Sequence, residues 1–215
     1  MDHDHKAFLE RNYRFQRHIY DLTRERYLLG RNTLIAGLVP PDGGRVLEVG
    51  CGTARNLVHI ARTYPLAQLY GIDLSEAMLE VADKKLRSGG LGERVRLAHA
   101  DATSFNPQAL FGVSSFERIV FSYALSMIPS WQAALHHAVD HLPPNGSLHI
   151  VDFGQGSALP GIVNRALRAW LRRFHVEPRD TLVRELRAIA GRIGGNVYSS
   201  DLHNGYADYV VLTRR

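Results

Sequence analysis

Short apolar runs alternate with helical patterns through the middle of the chain, and this alternation limits the fold more than any other feature. Five runs have the composition of buried strands: residues 45–50 (RVLEVG), 67–73 (AQLYGID), 94–101 (RVRLAHAD), 118–123 (RIVFSY) and 147–154 (SLHIVDFG). Ser75 and Ser130 stand where helices between these runs are expected to begin, and serine is a favoured N-cap. Strands separated by helices form βαβ units, with a parallel sheet covered by helices on both faces.

The C-terminal part departs from this alternation. A long helical segment follows residue 154, and two further strand-like runs come after it, at residues 196–202 (NVYSSDL) and 208–215 (DYVVLTRR). Asn204-Gly205 lies between those runs, which is typical of a tight β-hairpin. The sequence therefore predicts an α/β Rossmann-like sheet of about seven strands, mostly parallel, with helices on both faces and an antiparallel C-terminal hairpin strand.

Length and composition fit one α/β domain with a small appendage. The chain has 215 residues, of which 45% are hydrophobic. Residues 1–40 have a helical pattern and are predicted to form a cap or lid, whereas residues 41–215 form the nucleotide-binding domain. No apolar run reaches the roughly 20 residues of a membrane-spanning helix, the first residues do not resemble a secretion signal, and Cys51 is the only cysteine. We therefore expect a cytoplasmic protein.

The positive charge leaves the partner open. The net charge is +5, and all but three of the 26 basic residues are arginine. Arginine binds phosphate and carboxylate groups through its planar fork, although genomic base composition produces the same bias. The charge permits an anionic partner, either nucleic acid or a lipid surface, and does not choose between them.

Residues 46–56 (VLEVGCGTARN) run from a strand through a glycine turn into a helix. Such a turn lets the backbone approach a nucleotide closely. The nicotinamide fingerprint would need glycines at positions 50, 52 and 55, but position 55 is Arg55, and the Gly-Lys-Ser/Thr of a phosphate-binding P-loop does not follow. What remains is an acidic strand end, Glu48, followed by Gly50 and Gly52.

This pattern resembles the E-x-G-x-G-x-G motif of class I S-adenosylmethionine-dependent methyltransferases, with Ala54 in place of the final glycine. The resemblance implies that the turn passes under the methionine part of the cofactor, that Asp73 accepts the ribose hydroxyls, and that Asp101 and Ala102 read the adenine. The expected cofactor-binding residues are Tyr27, Arg31, Glu48, Gly50, Cys51, Gly52, Asn56, Asp73, Leu74, Met78, Asp101, Ala102 and Ser122. A nucleotide fold with another ligand, or none, is the alternative.

Methyl transfer from a sulfonium mainly requires alignment of donor and nucleophile, so we expect neither a metal nor a covalent intermediate. Methyltransferases of nucleobase amino groups usually carry [DNS]-P-P-[FYW] after the fourth strand, where this chain has residues 121–129 (FSYALSMIP). This difference argues against a nucleobase acceptor. His136, His137 and His141 are interpreted as surface or packing histidines rather than metal ligands.

Aromatic residues suggest an acceptor site. Tyr13, Tyr20 and Tyr27 are seven residues apart, nearly on one helical face. They form either a packing face or a lid that lines the acceptor site, with Arg31 near the cofactor carboxylate. Phenol rings attract methylated ammonium groups, and Tyr123 and Tyr206 could complete such a wall. Asp152 either holds an ammonium group or accepts its proton, or it caps a loop. The predicted catalytic residues are Tyr20, Tyr123 and Asp152.

Residues 161–174 (GIVNRALRAWLRRF) form a second amphipathic pattern. Its apolar stripe comprises Ile162, Val163, Ala166, Leu167, Trp170, Leu171 and Phe174, and Arg165, Arg168, Arg172 and Arg173 lie mostly opposite. An arginine-rich face with a tryptophan-bearing apolar face suits the headgroup region of an anionic membrane. A helix that covers the sheet produces the same stripe.

Three longer stretches are similar to the bacterial N-methyltransferases of betaine-lipid synthesis: residues 13–31 (YRFQRHIYDLTRERYLLGR), 122–131 (SYALSMIPSW) and 148–155 (LHIVDFGQ). That family methylates diacylglyceryl-homoserine three times, which gives diacylglyceryl-trimethylhomoserine. The resemblance implies a lipid substrate at an anionic membrane surface, peripheral attachment to the inner face of the cytoplasmic membrane, no nucleic acid and no stable protein partner. The alternatives are a phosphatidylethanolamine or small-amine methyltransferase, an RNA methyltransferase, and a non-catalytic cofactor-binding protein.

Overall fold

The computed structural model describes residues 28–156, 160–173 and 176–215, and within the second range the side chains of residues 163 and 172 are not described. Tyr13, Tyr20 and Tyr27 lie outside these ranges, as does most of the predicted N-terminal cap. The part of the cap that is described begins its helix at Arg31, directly after Gly30, whose φ is +82°. The boundary predicted between residues 40 and 41 stays a prediction.

The described residues contain a sheet of seven strands in the order β3-β2-β1-β4-β5-β7-β6. The strands are β1 Arg45–Val49, β2 Gln68–Asp73, β3 Val95–His99, β4 Arg118–Ser122, β5 Ser147–Phe153, β6 Asn196–Leu202 and β7 Ala207–Thr213. Strands β1 to β5 pair with one another in parallel, and β7 is antiparallel to both β5 and β6. The predicted mixed sheet with an antiparallel C-terminal strand is confirmed.

Helices cover both faces of this sheet. They are α1 Arg31–Gly37, α2 Arg55–Thr63, α3 Glu76–Ser88, α4 Pro107–Phe111, α5 Trp131–Asp140, α6 Gly161–Arg173 and α7 Leu182–Ile193, with a 3₁₀ turn at Leu125–Met127. Alternate residues of β4 enter different clusters: Ile119 and Phe121 pack with Leu135 of α5, whereas Val120 packs with Leu57 of α2. Because side chains alternate across a strand, each cluster is the core beneath one helical layer.

The predicted helix start at Ser75 is confirmed, because its side chain accepts a hydrogen bond from the Met78 N–H. The prediction for Ser130 is wrong in its mechanism. Helix α5 does begin after Ser130, but its side chain makes no capping bond, and its ψ of 48° differs from the extended backbone of Ser75. The predicted hairpin is present, with His203, Asn204 and Gly205 all at positive φ and β6 paired to β7.

The strand order reverses direction between β1 and β4. In open α/β sheets the crevice beyond the carboxyl ends of the strands at such a reversal is where ligands bind. The first residues beyond β1 are those of the glycine turn, and Tyr123 is the first beyond β4. The topology therefore puts the predicted cofactor residues at the edge where a nucleotide would bind.

Candidate active site

The glycine turn is tied to the second strand. The backbone N–H groups of Gly50 and Cys51 both donate to the carbonyl of Ile72, at 2.9 and 3.0 Å. Gly50 has a φ of +72°, and a Cβ there would lie 2.8 Å from the Cβ of Ala124, which follows β4. Only glycine satisfies both constraints, so the turn packs closely between the ends of β2 and β4.

Gly52 leaves an opening in the turn. Its φ is +51°, and a Cβ built on it would meet no atom of the described residues within 4 Å, its two chain neighbours apart. Its N–H donates to Oδ2 of Asp73 at 2.8 Å. Ala54 also adopts a left-handed conformation, with a φ of 59°, which explains why the methyltransferase motif has glycine there; a non-glycine residue pays roughly 1–2 kcal/mol in this region.

Asp73 is held at the end of β2 by backbone donors on both sides. Oδ2 accepts from Gly52 and Oδ1 accepts from the N–H of Ser75 at 2.9 Å. Each carboxylate oxygen has a further lone pair, so the predicted hydrogen bonds to ribose hydroxyls fit this arrangement. The adjacent Leu74 offers its carbonyl to Nε2 of His99, and Met78 is buried on α3.

Glu48 and Asn56 form a buried pair beneath the turn. The Asn56 amide donates to Oε1 of Glu48 at 2.6 Å, and no residue in the described ranges donates a hydrogen bond to Oε2. Burial raises the pKa of Glu48 to about 7, although the Asn56 hydrogen bond and the positive charge of Arg31 lower it. Asn56 therefore orients Glu48, and the predicted role of Asn56 in cofactor binding is indirect in this geometry.

Two further predicted cofactor residues lie at strand ends: Asp101, whose carboxylate is oriented by local hydrogen bonds, and Ser122, whose hydroxyl is buried. Oδ1 of Asp101 accepts from both the N–H and the hydroxyl of Thr103, at 2.8 and 2.7 Å. Ser122, at the end of β4, is buried, and its hydroxyl has no partner among the described residues. Buried polar groups normally have partners, so this hydroxyl is suited to a ligand.

Tyr123 follows β4 in a left-handed conformation, with a φ of +55°, which is rare for a bulky residue. Its hydroxyl donates to the carbonyl of Leu29 at 2.6 Å, and the Arg31 guanidinium lies 5.9 Å from its ring centroid. Burial raises the pKa of Tyr123 well above its usual range. Tyr123 thus anchors the entry to α1, and any contact with an acceptor would use its ring rather than its hydroxyl.

A row of aromatic rings continues from Tyr123. The ring centroid of Tyr123 lies 4.7 Å from that of Phe153, and the ring centroid of Phe153 lies 5.9 Å from that of Tyr206 in the hairpin. The two tyrosines predicted to form an aromatic wall are therefore joined through Phe153. The binding of an ammonium group by this row stays a prediction.

Asp152 is buried in β5 and supports the 3₁₀ turn. Oδ2 accepts from the N–H of Ser126 at 3.0 Å and Oδ1 from that of Phe153 at 2.8 Å, and burial raises the pKa of this carboxyl. Of the two roles considered for Asp152, the loop cap is present in the structure. Proton acceptance from an amine stays a prediction.

Arg179 donates hydrogen bonds to the carbonyls of the same 3₁₀ turn. The sequence did not predict this role. The Nε of Arg179 donates to the carbonyl of Leu125 at 3.0 Å, and a terminal nitrogen donates to that of Ile128 at 2.9 Å. The N–H of Glu177 donates to the carbonyl of Ser126. No motif marks Arg179, because carbonyl clamping depends on tertiary geometry.

The predicted packing histidines have local partners. Nε2 of His136 lies 3.1 Å from Oε1 of Glu185, and Nε2 of His137 lies 2.7 Å from the carbonyl of Phe105. Within the described part of the chain, no group of three or more His, Cys, Asp or Glu residues could hold a metal ion. The predicted contributions of Tyr20 and Tyr27 fall outside the described residues.

Comparison with known proteins identifies the class. Residues 46–146 match the family described as "Methyltransferase domain". Together with the sheet order and the glycine turn, this match supports an S-adenosylmethionine-dependent methyltransferase that uses S-adenosylmethionine as its cofactor.

Curated relatives give a narrower comparison. Demethylmenaquinone methyltransferase of Geobacillus kaustophilus is 29% identical over 143 residues, which are 66% of this chain and 59% of that protein. The protein of the same name from Staphylococcus aureus strain JH9 is 26% identical over 152 residues, 70% of this chain and 60% of the relative. The chain therefore spans about three fifths of the length of these relatives. A specific relationship to betaine-lipid enzymes is not among these findings.

Solved structures share the fold. The YcgJ protein of Bacillus subtilis has a TM-score of 0.66 at 18% identity, over 86% of this chain and 98% of that one. The plantazolicin methyltransferase BpumL, solved with SAH, has a TM-score of 0.70 at 16% identity, over 93% and 91% of the two chains. None of the helices within the described ranges has both the length and the apolar character needed to cross a membrane.

Proposed function

We propose that this chain transfers methyl groups from S-adenosylmethionine to the amine of a lipid, and that it methylates diacylglyceryl-homoserine three times in succession. The observation that carries the cofactor assignment is the opening at Gly52. This opening borders a carboxylate already oriented by backbone N–H groups, Asp73. Asp101 and the unpartnered hydroxyl of Ser122 stand at the ends of β3 and β4.

The chemistry needs little from the protein beyond binding and alignment. When bound, S-adenosylmethionine supplies a methyl group on a sulfonium, and S-adenosylhomocysteine remains after the acceptor nitrogen has taken that methyl group. Asp73 would hold the ribose and Asp101 the adenine. The aromatic row of Tyr123, Phe153 and Tyr206 would attract the ammonium group of the acceptor, with about 0.5–2 kcal/mol per ring.

Each methylation releases one proton from the amine. Asp152, whose pKa is raised by burial, is the proposed acceptor, directly or through water. A fully methylated nitrogen has no lone pair, so the sequence of reactions ends after the third methyl group. An aromatic surface also tolerates the growing ammonium group better than a set of fixed hydrogen bonds would.

The lipid amine is supported by the betaine-lipid resemblance, which includes residues 122–131 around the 3₁₀ turn. The absence of a [DNS]-P-P-[FYW] sequence after β4 disfavours a nucleobase. A second candidate acceptor is demethylmenaquinone, because the two curated relatives described above are named for it. That acceptor would use the same cofactor site and would have no ammonium group for the aromatic row.

The test is mass spectrometry of the purified full chain with S-adenosylmethionine and, separately, vesicles that contain diacylglyceryl-homoserine, phosphatidylethanolamine or demethylmenaquinone. Addition of three methyl groups to the homoserine lipid alone is the expected result. Methylation of phosphatidylethanolamine alone would keep the lipid amine and overturn the named substrate. Methylation of the quinone alone would overturn the amine and favour the second candidate.

A further inference from the structure

One face of helix α6 (Gly161–Arg173) contacts the rest of the domain, through hydrogen bonds and through one buried apolar side chain. The Asn164 amide donates to the carbonyls of Gln155 and Gly156 at 3.1 and 3.2 Å. A terminal nitrogen of Arg168 donates to the same Gln155 carbonyl at 3.1 Å. Leu171 is buried. These residues are three or four positions apart, so they share the inward face of the helix.

The opposite face is exposed and combines apolar with cationic side chains. Ile162 is 76% exposed and Trp170 is 39% exposed. The other exposed residues of the helix include Arg165, Ala166, Ala169 and Arg173. The sequence pattern had placed Ile162, Ala166 and Trp170 in one stripe with Leu171. In the structure that stripe is divided, because Asn164 and Arg168 turn toward the carbonyls of residues 155 and 156.

The outward face has no acidic residue to balance its charge, since residues 161–173 contain neither aspartate nor glutamate. Isoleucine and tryptophan suit the boundary between headgroups and acyl chains, and arginine keeps its charged end among the headgroups. Each arginine near an anionic membrane surface adds to the attraction. A nucleic acid would pair with the arginines but would leave Ile162, the most exposed large hydrophobic side chain of the described residues, in water.

We infer that the outward face of α6, formed by Ile162, Arg165, Ala166, Ala169, Trp170 and Arg173, docks on the surface of an anionic lipid bilayer. The inference rests on the proposed lipid acceptor and names the surface from which that acceptor is taken. The helix binds to residues 155 and 156, which are separated only by Gly154 from β5 and its proposed site residues Asp152 and Phe153. Docking would therefore hold the C-terminal end of β5, where the acceptor is proposed to bind, close to the bilayer.

The chain contains its own probe for this docking. Its two tryptophans are Trp131, which is buried, and Trp170 on the outward face. Titration of the full chain with phosphatidylcholine vesicles containing phosphatidylglycerol should shift the tryptophan emission to shorter wavelength, whereas pure phosphatidylcholine vesicles should not. The shift should disappear in Trp170→Phe while vesicle co-sedimentation stays within about threefold. A shift that persists in Trp170→Phe would overturn the inference.

Charge reversal on α6 has a matched control on α7. Arg165→Glu with Arg173→Glu should weaken co-sedimentation with the anionic vesicles at least about tenfold. Arg184→Glu with Arg187→Glu changes two exposed arginines of α7 and alters the net charge equally, so it should change binding by less than about threefold. Equal losses from the two pairs would mean that the overall charge, rather than α6, attracts the vesicle.

A second pair of variants tests the apolar contact without changing charge. Ile162→Asn should weaken vesicle binding several-fold, and Leu66→Asn, at a side chain that is 62% exposed elsewhere, should not. Far-ultraviolet circular dichroism establishes that each variant is folded. If Ile162→Asn binds vesicles as the unsubstituted chain does, while RNA binds more tightly than the vesicles do, the partner is nucleic acid and the inference fails.

Docking and methyl transfer can fail separately. Vesicle binding is measured without cofactor, and methyl transfer is measured with diacylglyceryl-homoserine dispersed in detergent micelles, where no bilayer is required. Binding to anionic vesicles without methylation in micelles would support docking and overturn the proposed acceptor. Methylation in micelles without vesicle binding would overturn docking and leave the proposed function intact.

Discussion

Gly52 is the residue at which the backbone leaves room for a ligand. Its N–H is fixed on Asp73, yet the space where a side chain would begin holds no atom of the described part of the chain beyond the neighbouring residues. The neighbouring Gly50 is glycine for a different reason, because Ala124 fills the space beside it. Gly50 is thus required by a contact within the protein, whereas the requirement for glycine at position 52 is predicted to come from the cofactor.

We expect Gly52→Ala to weaken binding of S-adenosylmethionine at least tenfold, which is about 1.4 kcal/mol, because the new methyl group occupies the opening. Isothermal titration calorimetry measures the change. Gly112→Ala is the matched control, because Gly112 also has a positive φ and no atom of the described residues, its chain neighbours apart, within 4 Å of its Cβ position; both variants therefore put a side chain on a left-handed backbone. Equal cofactor affinity in the two variants would exclude Gly52 from the site.

Glu48 gives a prediction for the pH dependence of stability. Its pKa rises from 4.5 to about 7 on folding, so the folded state holds a proton that the unfolded state has lost between these values. The contribution of Glu48 to stability is therefore complete below pH 4.5 and is lost as the pH rises toward 7. At 1.36 kcal/mol per pKa unit, the loss is about 3 kcal/mol.

Glu48→Gln cannot lose this proton and can still accept the Asn56 hydrogen bond. As the pH rises from 4.5 to 7.5, the free energy of unfolding of the unsubstituted protein should fall by about 3 kcal/mol relative to that of Glu48→Gln. Urea unfolding at several pH values measures the difference between the two proteins. A difference that is constant with pH would show that Glu48 titrates alike in the folded and unfolded states.

At this scale the sequence predicted candidate site residues but not their hydrogen-bond partners. Glu48, Gly52 and Asp73 follow from a motif of fixed spacing at strand ends. The left-handed conformation of Tyr123 could not be predicted, because it depends on the distant carbonyl of Leu29. The pairing of Asn56 with Glu48 likewise arises only once the helix has folded back beside the strand.

At the scale of elements, the 3₁₀ turn Leu125–Met127 is held from two sides. Asp152 accepts an N–H from it, and Arg179 donates to the carbonyls of Leu125 and Ile128. Arg179 lies in the segment between α6 and α7, so three elements meet at this turn. The turn follows β4 and Tyr123 directly. Its position should therefore affect the proposed acceptor side of the site, and Ala124 at its start also packs against Gly50 of the glycine turn.

Arg179→Ala should lower kcat for the lipid acceptor at least about tenfold and leave the Kd of S-adenosylmethionine within about twofold. Arg179→Lys should recover little, because lysine lacks the planar fork that reaches two carbonyls. Steady-state kinetics and calorimetry separate the two quantities. Arg184→Ala, at an exposed position of α7, is the control. Parallel losses of kcat and cofactor affinity would indicate general disruption of the fold.

Periodicity predicted the elements well and their orientation less well. All five parallel strands and the hairpin were found from short apolar runs and turn residues. The face that α6 turns toward the domain was not predicted. Asn164 and Arg168 donate hydrogen bonds to two loop carbonyls, and Ile162 and Ala166 stay exposed. Such bonds depend on the path of another segment, which no helical repeat records.

At the scale of the whole molecule, the predicted cofactor residues that the structure describes come from three strands of one sheet, from loops that follow its strands and from the helices that cover it, so binding should stabilise the domain as a unit. S-adenosylmethionine at 100 times its Kd should add about 2.7 kcal/mol to the free energy of unfolding. For a chain of this length that corresponds to a rise in Tm of roughly 5–10 °C. Differential scanning calorimetry measures the shift. An unchanged Tm with the cofactor in excess would contradict binding to the native state.

The position of β7 has a consequence for folding order during synthesis. β7 is the last strand of the described sequence, yet it lies inside the sheet between β5 and β6. The pairing of Ser147 in β5 with Thr213 in β7 joins residues far apart in the chain, so this step is slow compared with closure of the local β6–β7 hairpin. Until a ribosome has delivered residues 207–213, the apolar edge of β5 lacks its partner and can pair with another nascent chain. A pause in translation before these codons would prolong that exposure and favour aggregation.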